Sequence, residues 1–178
     1  MAPARYVAVV GPGDEATPAE CAKAYSVGKL LAERGAIVIT GGLGGVMAAA
    51  AEGCASAGGC SVALLPGPDR TAANSSSTII IPTGLGELRN ALLVRSADGL
   101  VAVGGSWGTL SEVALARRTA TPLVCLGGWS VVDGDGVHLR AQTAASATDA
   151  VGRILRLITD DTTGASRTGY VEQDATPS

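Results

Sequence analysis

The stretch AIVITGGLGGV, residues 36–46, sets the fold prediction for this chain. Its first part, Ala36 to Thr40, is a short apolar run of the kind that forms a buried strand. Its second part, Gly41 to Gly45, is a glycine-rich turn, which lets the backbone bend tightly and approach a ligand closely. An alanine-rich helical stretch then runs from Val46 to about Ala57. We therefore predict a strand that passes through a tight turn into a helix.

The same order of strand, turn and helix recurs on both sides of this stretch. The pair Thr17-Pro18 starts the first helix, with threonine as the N-cap and proline in the first turn. Strands that alternate with helices predict an α/β fold with a mostly parallel sheet, whose ligands bind beyond the carboxyl ends of the strands. The remaining predicted strands are 6–10, 61–65, 78–81, 100–103, 122–126 and a short one at 137–140, and the remaining predicted helices are 18–34, 85–96, 109–118 and one around 151–158.

The composition predicts a single domain, residues 1–159, followed by a polar tail, residues 160–178, which we expect to be disordered. Hydrophobic residues make up 47% of the chain but aromatic residues only 3%, so the core is aliphatic, which is typical of parallel strands covered on both faces. The net charge of −3, without a basic stripe, argues against a nucleic-acid partner. Because no signal peptide or bilayer-spanning apolar stretch is visible, we expect a cytoplasmic protein.

A second glycine cluster, GGSWGTLSE at residues 104–112, again joins a predicted strand to a predicted helix. The unpaired N–H groups at the start of such a helix suit a phosphate group, although both glycine clusters are also compatible with tight turns needed only for packing. Thr109 is compatible with capping the helix and with binding a phosphate. Glu112 is compatible with a capping box and with a carboxylate beside a ribose. Trp107 is compatible with ligand stacking, a lid or packing.

A third segment, PTGLGELRN at residues 82–90, places Arg89 and Asn90 after another turn. An arginine at this place is compatible with clamping a phosphate through two hydrogen bonds and with an exposed position on a helix. A pyridoxal-phosphate decarboxylase would need a lysine for its Schiff base. The chain has only Lys23 and Lys29, both on the first predicted helix, so lysine decarboxylase activity is not expected.

The three segments together resemble one family, the Lonely Guy and molybdenum-cofactor-carrier group, many of whose members are labelled lysine decarboxylase-like. The resemblance rests on GGLGGVM at 41–47 and GGSWGTLSE at 104–112, with Arg89-Asn90 between them, and spans roughly residues 5–158. It implies a Rossmann-like, three-layer α/β/α fold. The Lonely Guy motif, PGGxGTxxE with an upstream Arg-Lys, has Val103 here at the proline and Asn90 at the lysine. This pattern looks more like the molybdenum-cofactor-carrier branch.

The resemblance also implies a function. The carrier branch implies binding of a phosphorylated, nucleotide-like ligand, either a nucleoside monophosphate or a pterin-type molybdenum cofactor, with no further cofactor required. The Lonely Guy branch implies an alternative, a phosphoribohydrolase that cleaves the N-glycosidic bond of cytokinin and other nucleoside 5′-monophosphates, with Arg89 and Glu112 as catalytic residues. The predicted phosphate- and nucleotide-binding residues are Gly11, Gly41, Gly42, Gly44, Gly45, Met47, Arg89, Asn90, Gly104, Gly105, Gly108 and Thr109.

The expected partners follow from these arguments. We expect one small phosphorylated ligand, no nucleic acid and no membrane, and no metal site is predicted, because no set of His, Cys and carboxylate residues has ligand spacing. We also expect a homodimer or a larger homo-oligomer. The alanine-rich helix beginning at Val46 offers a surface of small residues that would suit close packing against a second copy.

Overall fold

A seven-stranded parallel sheet forms the centre of the protein. The computed structural model describes residues 4–132, 134–136, 138 and 141–164. In these ranges the strands are β1 (Tyr6–Val10), β2 (Ile37–Thr40), β3 (Ser61–Leu65), β4 (Ile79–Pro82), β5 (Gly99–Val103), β6 (Leu123–Leu126) and β7 (Gln142–Thr143). The helices are α1 (Pro18–Glu33), α2 (Val46–Ser56), α3 (Arg89–Ser96), α4 (Trp107–Arg118) and α5 (Ala147–Gly164), with short 3₁₀ turns at Arg70–Ala72 and Gly86–Leu88.

Helices cover both faces of the sheet, as the aliphatic composition predicts. Along β1, Val7 and Val9 belong to one buried cluster, with α1, α2 and α5, whereas Ala8 and Val10 belong to a second, with α3 and α4. This alternation follows from the period of two along a strand. The predicted Rossmann-like α/β/α fold with a mostly parallel sheet is therefore confirmed, since every pair of named strands is parallel.

Helices α1 and α2 pack with their backbones in contact. A Cβ at Gly28 of α1 would collide with the carbonyl of Ala50, and a Cβ at Gly53 of α2 would collide with the carbonyl of Tyr25. The buried face of α2 consists of Val46, Ala50, Ala51, Gly53 and Cys54. The small residues that the sequence analysis assigned to a second copy are therefore used for packing within the chain, and the argument for a dimer drawn from them is wrong.

Several predicted boundaries differ from the observed ones. Helix α4 begins at Trp107, two residues before the predicted start, because Ser106 rather than Thr109 caps it. Helix α5 runs to Gly164, past the predicted domain end at 159, and the rest of the predicted tail lies outside the described residues. Of the short strand predicted at 137–140, only His138 is described, in an isolated antiparallel bridge with Val132.

The order of the strands, β4-β3-β2-β1-β5-β6-β7, places the candidate site. Strands β2, β3 and β4 follow one another on one side of β1, and strands β5, β6 and β7 follow one another on its other side. The crevice beyond the carboxyl ends of β1 and β5 is therefore the topological switch point, where open α/β sheets bind ligands. Gly11 follows β1 and Gly104 follows β5, so two of the predicted binding residues lie at this point.

Candidate functional site

The first glycine loop, Gly41 to Gly45, leads from β2 into α2. Gly45 precedes the helix with φ of 60° and ψ of −130°, a conformation that strongly favours glycine. No side chain caps the helix, and the N–H of Val46 donates to the carbonyl of Pro12 at 3.0 Å. The start of α2 thus brings the positive end of a helix dipole to the switch point. Asp14 is the acidic side chain beside this loop, with Oδ1 2.8 Å from the place of a Cβ at Gly44.

Asn74 holds the glycine loop in place from the segment that follows β3. Its Nδ2 donates to the carbonyls of Gly42 and Leu43 at 3.0 and 3.2 Å, and its backbone N–H donates to the Gly42 carbonyl at 2.8 Å. This role of Asn74 was not predicted from the sequence. An asparagine in a loop between two strands gives a weak signal, because its partner lies far away in the chain.

Arg89 lies at the first glycine loop although it begins α3. Its side chain packs so closely against Gly41 that a Cβ there would collide with the guanidinium, and the Met47 sulfur would lie 2.6 Å from the same Cβ. Arg89 is only 7% exposed. Three of the predicted binding residues, Gly41, Met47 and Arg89, are therefore brought together, and the alternative of an exposed helix arginine is wrong.

Arg89 and Glu112 form a buried pair across the gap between α3 and α4. Nη1 of Arg89 lies 4.0 Å from Oε1 of Glu112, and Glu112 is 6% exposed. This separation is too long for a hydrogen bond, and the buried Nε of Arg89 has no hydrogen-bond partner among the described residues. Burial raises the pKa of Glu112 to about 7, against the opposing effect of Arg89. Burial also lowers the pKa of Arg89, which Glu112 partly offsets.

The start of α4 is organised by Ser106. Its Oγ accepts from the N–H of Thr109 at 3.3 Å and lies 3.0 Å from the Thr109 hydroxyl. Thr109 is therefore at the third helical position and not at the cap. Glu112 lies a turn further into the helix and faces Arg89, so its capping-box alternative is wrong, since that role would require Thr109 as the N-cap. The Glu112 carboxyl group is therefore not used for capping and is paired with Arg89.

Glu20 supports the second glycine loop from the first turn of α1. It completes a capping box with Thr17, and its Oε1 lies where a Cβ of Gly104 would be. The backbone N–H of Thr17 is the main cause that lowers the pKa of Glu20, and the N–H of Gly105 contributes as well. This role of Glu20 was not predicted from the sequence. The Thr-x-x-Glu pattern that begins at Thr17 could have predicted the capping box, but only the strand order places Gly104 beside it.

The remaining predicted residues lie around the same crevice in different roles. A Cβ at Gly11 would collide with the Val103 carbonyl, so Gly11 lets β1, β5 and the start of α2 approach one another. Asn90 donates from Nδ2 to the Ser111 hydroxyl at 3.2 Å and joins α3 to α4. Gly108 lies in the first turn of α4, and a Cβ there would be 3.7 Å from the Ser106 hydroxyl, which is ordinary contact.

Two exposed tryptophans flank the second loop. Trp107 is 77% exposed and Trp129 is 42% exposed, and their ring centroids lie 5.0 Å apart at 41°. The indole N–H of Trp129 donates to the Ser106 carbonyl at 2.9 Å. Trp107 therefore does not pack into the core. His138 is also exposed.

Neither a metal cluster nor a membrane span is found in the part of the chain that the structure describes. No group of three or more His, Cys, Asp or Glu side chains there could hold a metal ion. None of the helices in those ranges combines the length and the apolar character that a bilayer crossing would need. All four cysteines are free thiols.

Fold and site together define a class: an α/β protein whose Rossmann-like parallel sheet has two glycine-rich loops and a buried arginine at the carboxyl ends of its strands. A family model, the SLOG cluster4 family, matches residues 4–159, and the chain belongs to that family. An uncharacterized protein of Archaeoglobus fulgidus is 44% identical over 111 residues, which cover 62% of this chain and 73% of that protein.

Solved structures of molybdenum cofactor proteins are similar along most of their length. The molybdenum cofactor binding protein of Rippkaea orientalis is 32% identical, with a TM-score of 0.80 over 89% of this chain and 99% of the other. The molybdenum cofactor carrier protein of Chlamydomonas reinhardtii is 31% identical, with a TM-score of 0.76 over 88% and 99%. The predicted resemblance to the molybdenum-cofactor-carrier branch is therefore confirmed.

Proposed function

We propose that this protein binds a phosphorylated, cofactor-like small ligand in the switch-point crevice, with a pterin-type molybdenum cofactor or a nucleoside monophosphate as the candidates. The observation that carries the proposal is that Arg89 is buried while its hydrogen-bonding capacity is not satisfied. Arg89 is 7% exposed, its Nε has no hydrogen-bond partner among the residues that the structure describes, and Glu112 lies at 4.0 Å. The similarity to proteins described as binding or carrying the molybdenum cofactor supports the same conclusion.

The energetic argument for a ligand at Arg89 is direct. A buried donor without an acceptor costs about 1–3 kcal/mol, and more when the group is charged. A phosphate oxygen would accept from the guanidinium and remove that cost, and the uncapped start of α2 would add N–H groups and a favourable dipole. Gly41 leaves room for this contact, because any larger residue would displace the guanidinium.

Thermal unfolding with matched ligands tests the proposal. Guanosine monophosphate and a pterin phosphate should stabilise the protein, by roughly 2.7 kcal/mol at about 100 times the dissociation constant, whereas guanosine and the free pterin should stabilise it far less. Arg89→Ala should reduce the stabilisation. Arg95→Ala is the matched control, because Arg95 is exposed on the same helix and should leave the stabilisation unchanged. Equal effects of the phosphorylated and dephosphorylated ligands would contradict the proposal.

A second function, hydrolysis of a nucleoside 5′-monophosphate, is favoured by one specific observation. Glu112 is a buried carboxyl group with a pKa of about 7, and it lies beside Arg89, the residue proposed to bind the phosphate. A pKa near 7 suits a general acid or base that works near neutral pH. In this reaction water adds to the ribose C1′ and the N-glycosidic bond breaks. The base leaves with a proton, and ribose 5-phosphate is the second product. The carboxylate would stabilise the positive charge that develops on the ribose.

Chromatographic detection of free base separates the two functions. A hydrolase should release adenine or guanine from the monophosphates, and Glu112→Gln should lower the rate by about a hundredfold or more while ligand affinity is retained. Glu52→Gln is the matched control, since Glu52 is exposed on α2. Absence of free base with every monophosphate tested, together with stabilisation by the same ligands, would leave binding as the function.

The proposal also includes a homo-oligomer that acts in the cytoplasm. Leu85 and Leu88 of the turn before α3 are 48% and 75% exposed and lie near Arg89 in the chain, so a second copy would cover apolar surface next to the site. Four free thiols agree with a reducing compartment. Light scattering at micromolar concentration tests the oligomer, and a monomer mass would contradict it.

A further inference from the structure

A cavity of about 260 Å³ lies over strands β5, β6 and β7, next to the second glycine loop. Its floor is a row of neighbouring strand residues, because Ala102 is in register with Cys125 and Cys125 is in register with Thr143. Val113 of α4 closes one side. The cavity therefore has a mostly apolar floor built on rigid elements of the sheet, which is the usual construction of a small-molecule pocket.

Trp129 forms a fixed wall of this cavity. Its indole N–H donates to the Ser106 carbonyl at 2.9 Å, and Cδ1 of its ring would lie 2.7 Å from a Cβ at Gly105. Trp107 lies against the same ring, with the centroids 5.0 Å apart. An indole that is 42% exposed and yet held by a hydrogen bond and a ring contact is a rigid aromatic surface at the mouth of a cavity.

The second glycine loop connects the switch point with the cavity. Gly104 ends β5 at the switch point and also lines the cavity. The loop then enters α4, which carries Glu112 towards Arg89. Glu112 pairs with Arg89, and the next residue of the helix, Val113, lines the cavity. Helix α4 therefore borders both the cavity and the proposed phosphate site.

We propose that this cavity receives the planar heteroaromatic ring of the phosphorylated ligand, with Trp129 as the residue that recognises the ring. The inference rests on the proposed function, because it assigns the second part of the same ligand. The cavity is smaller than the range of roughly 300–1,000 Å³ found for whole drug-sized ligands, so it accommodates a ring and not an entire nucleotide. Ser130, Thr143 and His138 add polar groups to the lining, which suit the hydrogen-bonding edge of a purine or pterin.

Calorimetric titration with three probes tests the assignment: guanosine 5′-monophosphate, a pterin phosphate and ribose 5-phosphate, which has the phosphate without a ring. Trp129→Ala should weaken binding of a ring-bearing probe by at least about fivefold, the lower end of the loss expected for one stacked ring. The same variant should change the affinity for ribose 5-phosphate by less than about twofold, since the phosphate contacts are untouched. Arg89→Ala should weaken binding of all the probes that bind the wild type.

A second pair of variants keeps the test valid if Trp129→Ala is unstable. Gly105→Ala should displace the Trp129 ring while leaving the tryptophan in the chain, and it should weaken ring-bearing probes in the same way. Gly134→Ala is its matched control, because a Cβ at Gly134 meets nothing within 4 Å. Comparing the affinities for guanosine 5′-monophosphate and the pterin phosphate shows which ring the cavity binds, and preference for either ring supports the assignment.

Three results would overturn the assignment. Wild-type protein that binds ribose 5-phosphate as tightly as the ring-bearing probes would show that no ring is recognised, while leaving the phosphate site intact. Unchanged affinity for ring-bearing probes in both Trp129→Ala and Gly105→Ala would place the ring elsewhere. Failure of every probe to bind the wild type at millimolar concentration would refute the proposed function together with this inference.

Discussion

Replacing Glu112 by glutamine should change how the stability of the protein depends on pH. Burial raises the pKa of Glu112 from its ordinary value of 4.5 to about 7, so the native state holds this proton more tightly than the unfolded chain does. Below pH 4.5 the carboxyl is protonated in both states and costs nothing. Between pH 4.5 and 7 only the unfolded chain releases the proton, and native stability therefore falls as the pH rises.

The expected size follows from the same pKa. One pH unit is worth about 1.4 kcal/mol for a single proton, so the carboxyl should cost the native state on the order of 3 kcal/mol by pH 8. Glutamine has nearly the same shape and does not titrate. The free energy of unfolding of Glu112→Gln minus that of the wild type should therefore rise by about 3 kcal/mol from pH 4.5 to pH 8.

Urea unfolding followed by circular dichroism over this pH range measures the difference. All other titrating groups are common to both proteins and cancel in the subtraction. Glu52→Gln should give a difference that does not vary with pH, because Glu52 is exposed on α2. A difference for Glu112→Gln that is flat between pH 4.5 and 8, or that falls, would refute the argument that burial controls this carboxyl.

Three further predictions concern packing, charge and capping. Gly28→Ala should destabilise the protein by about 3 kcal/mol or more, measured by urea unfolding, because its Cβ would collide with the backbone of α2 and force the two helices apart. Asp14→Asn should tighten binding of a phosphorylated ligand by roughly fivefold in a calorimetric titration, since it removes a negative charge beside Gly44, and equal affinities would contradict this. Ser106→Ala should cost about 1 kcal/mol of stability through loss of the cap on the N–H of Thr109, and Ser106→Thr should retain most of it.

The strands and helices could be predicted from the sequence because their causes are local. Apolar runs of strand length, such as Tyr6–Val10, end at glycines, and the Thr17-Pro18 pair starts a helix where the structure has one. The alternation of these elements also predicted the parallel sheet, since a crossover helix between strands leaves few other arrangements. The family resemblance further implied that Arg89 and Glu112 belong to one site, and the structure places their side chains 4.0 Å apart.

The roles of individual side chains could not be predicted in the same way, because they depend on distant neighbours. Thr109 and Glu112 have the spacing of a capping box, yet Ser106 starts the helix earlier and leaves Glu112 to face Arg89. The small residues of α2 suit contact with a second copy as well as contact with α1, and only the packed chain shows which contact forms.

The sequence by itself determined the fold class, the family resemblance and the loops that surround the crevice, because these follow from local patterns of apolar and glycine residues. Only the tertiary structure decided that Arg89 is buried with no partner for its Nε in the described part of the chain, that burial raises the pKa of Glu112, and that Trp129 forms a wall beside Gly105. Burial and the pairing of polar groups are properties of the whole packed sheet. They arise when β5 returns to lie beside β1, and no short stretch of sequence contains them.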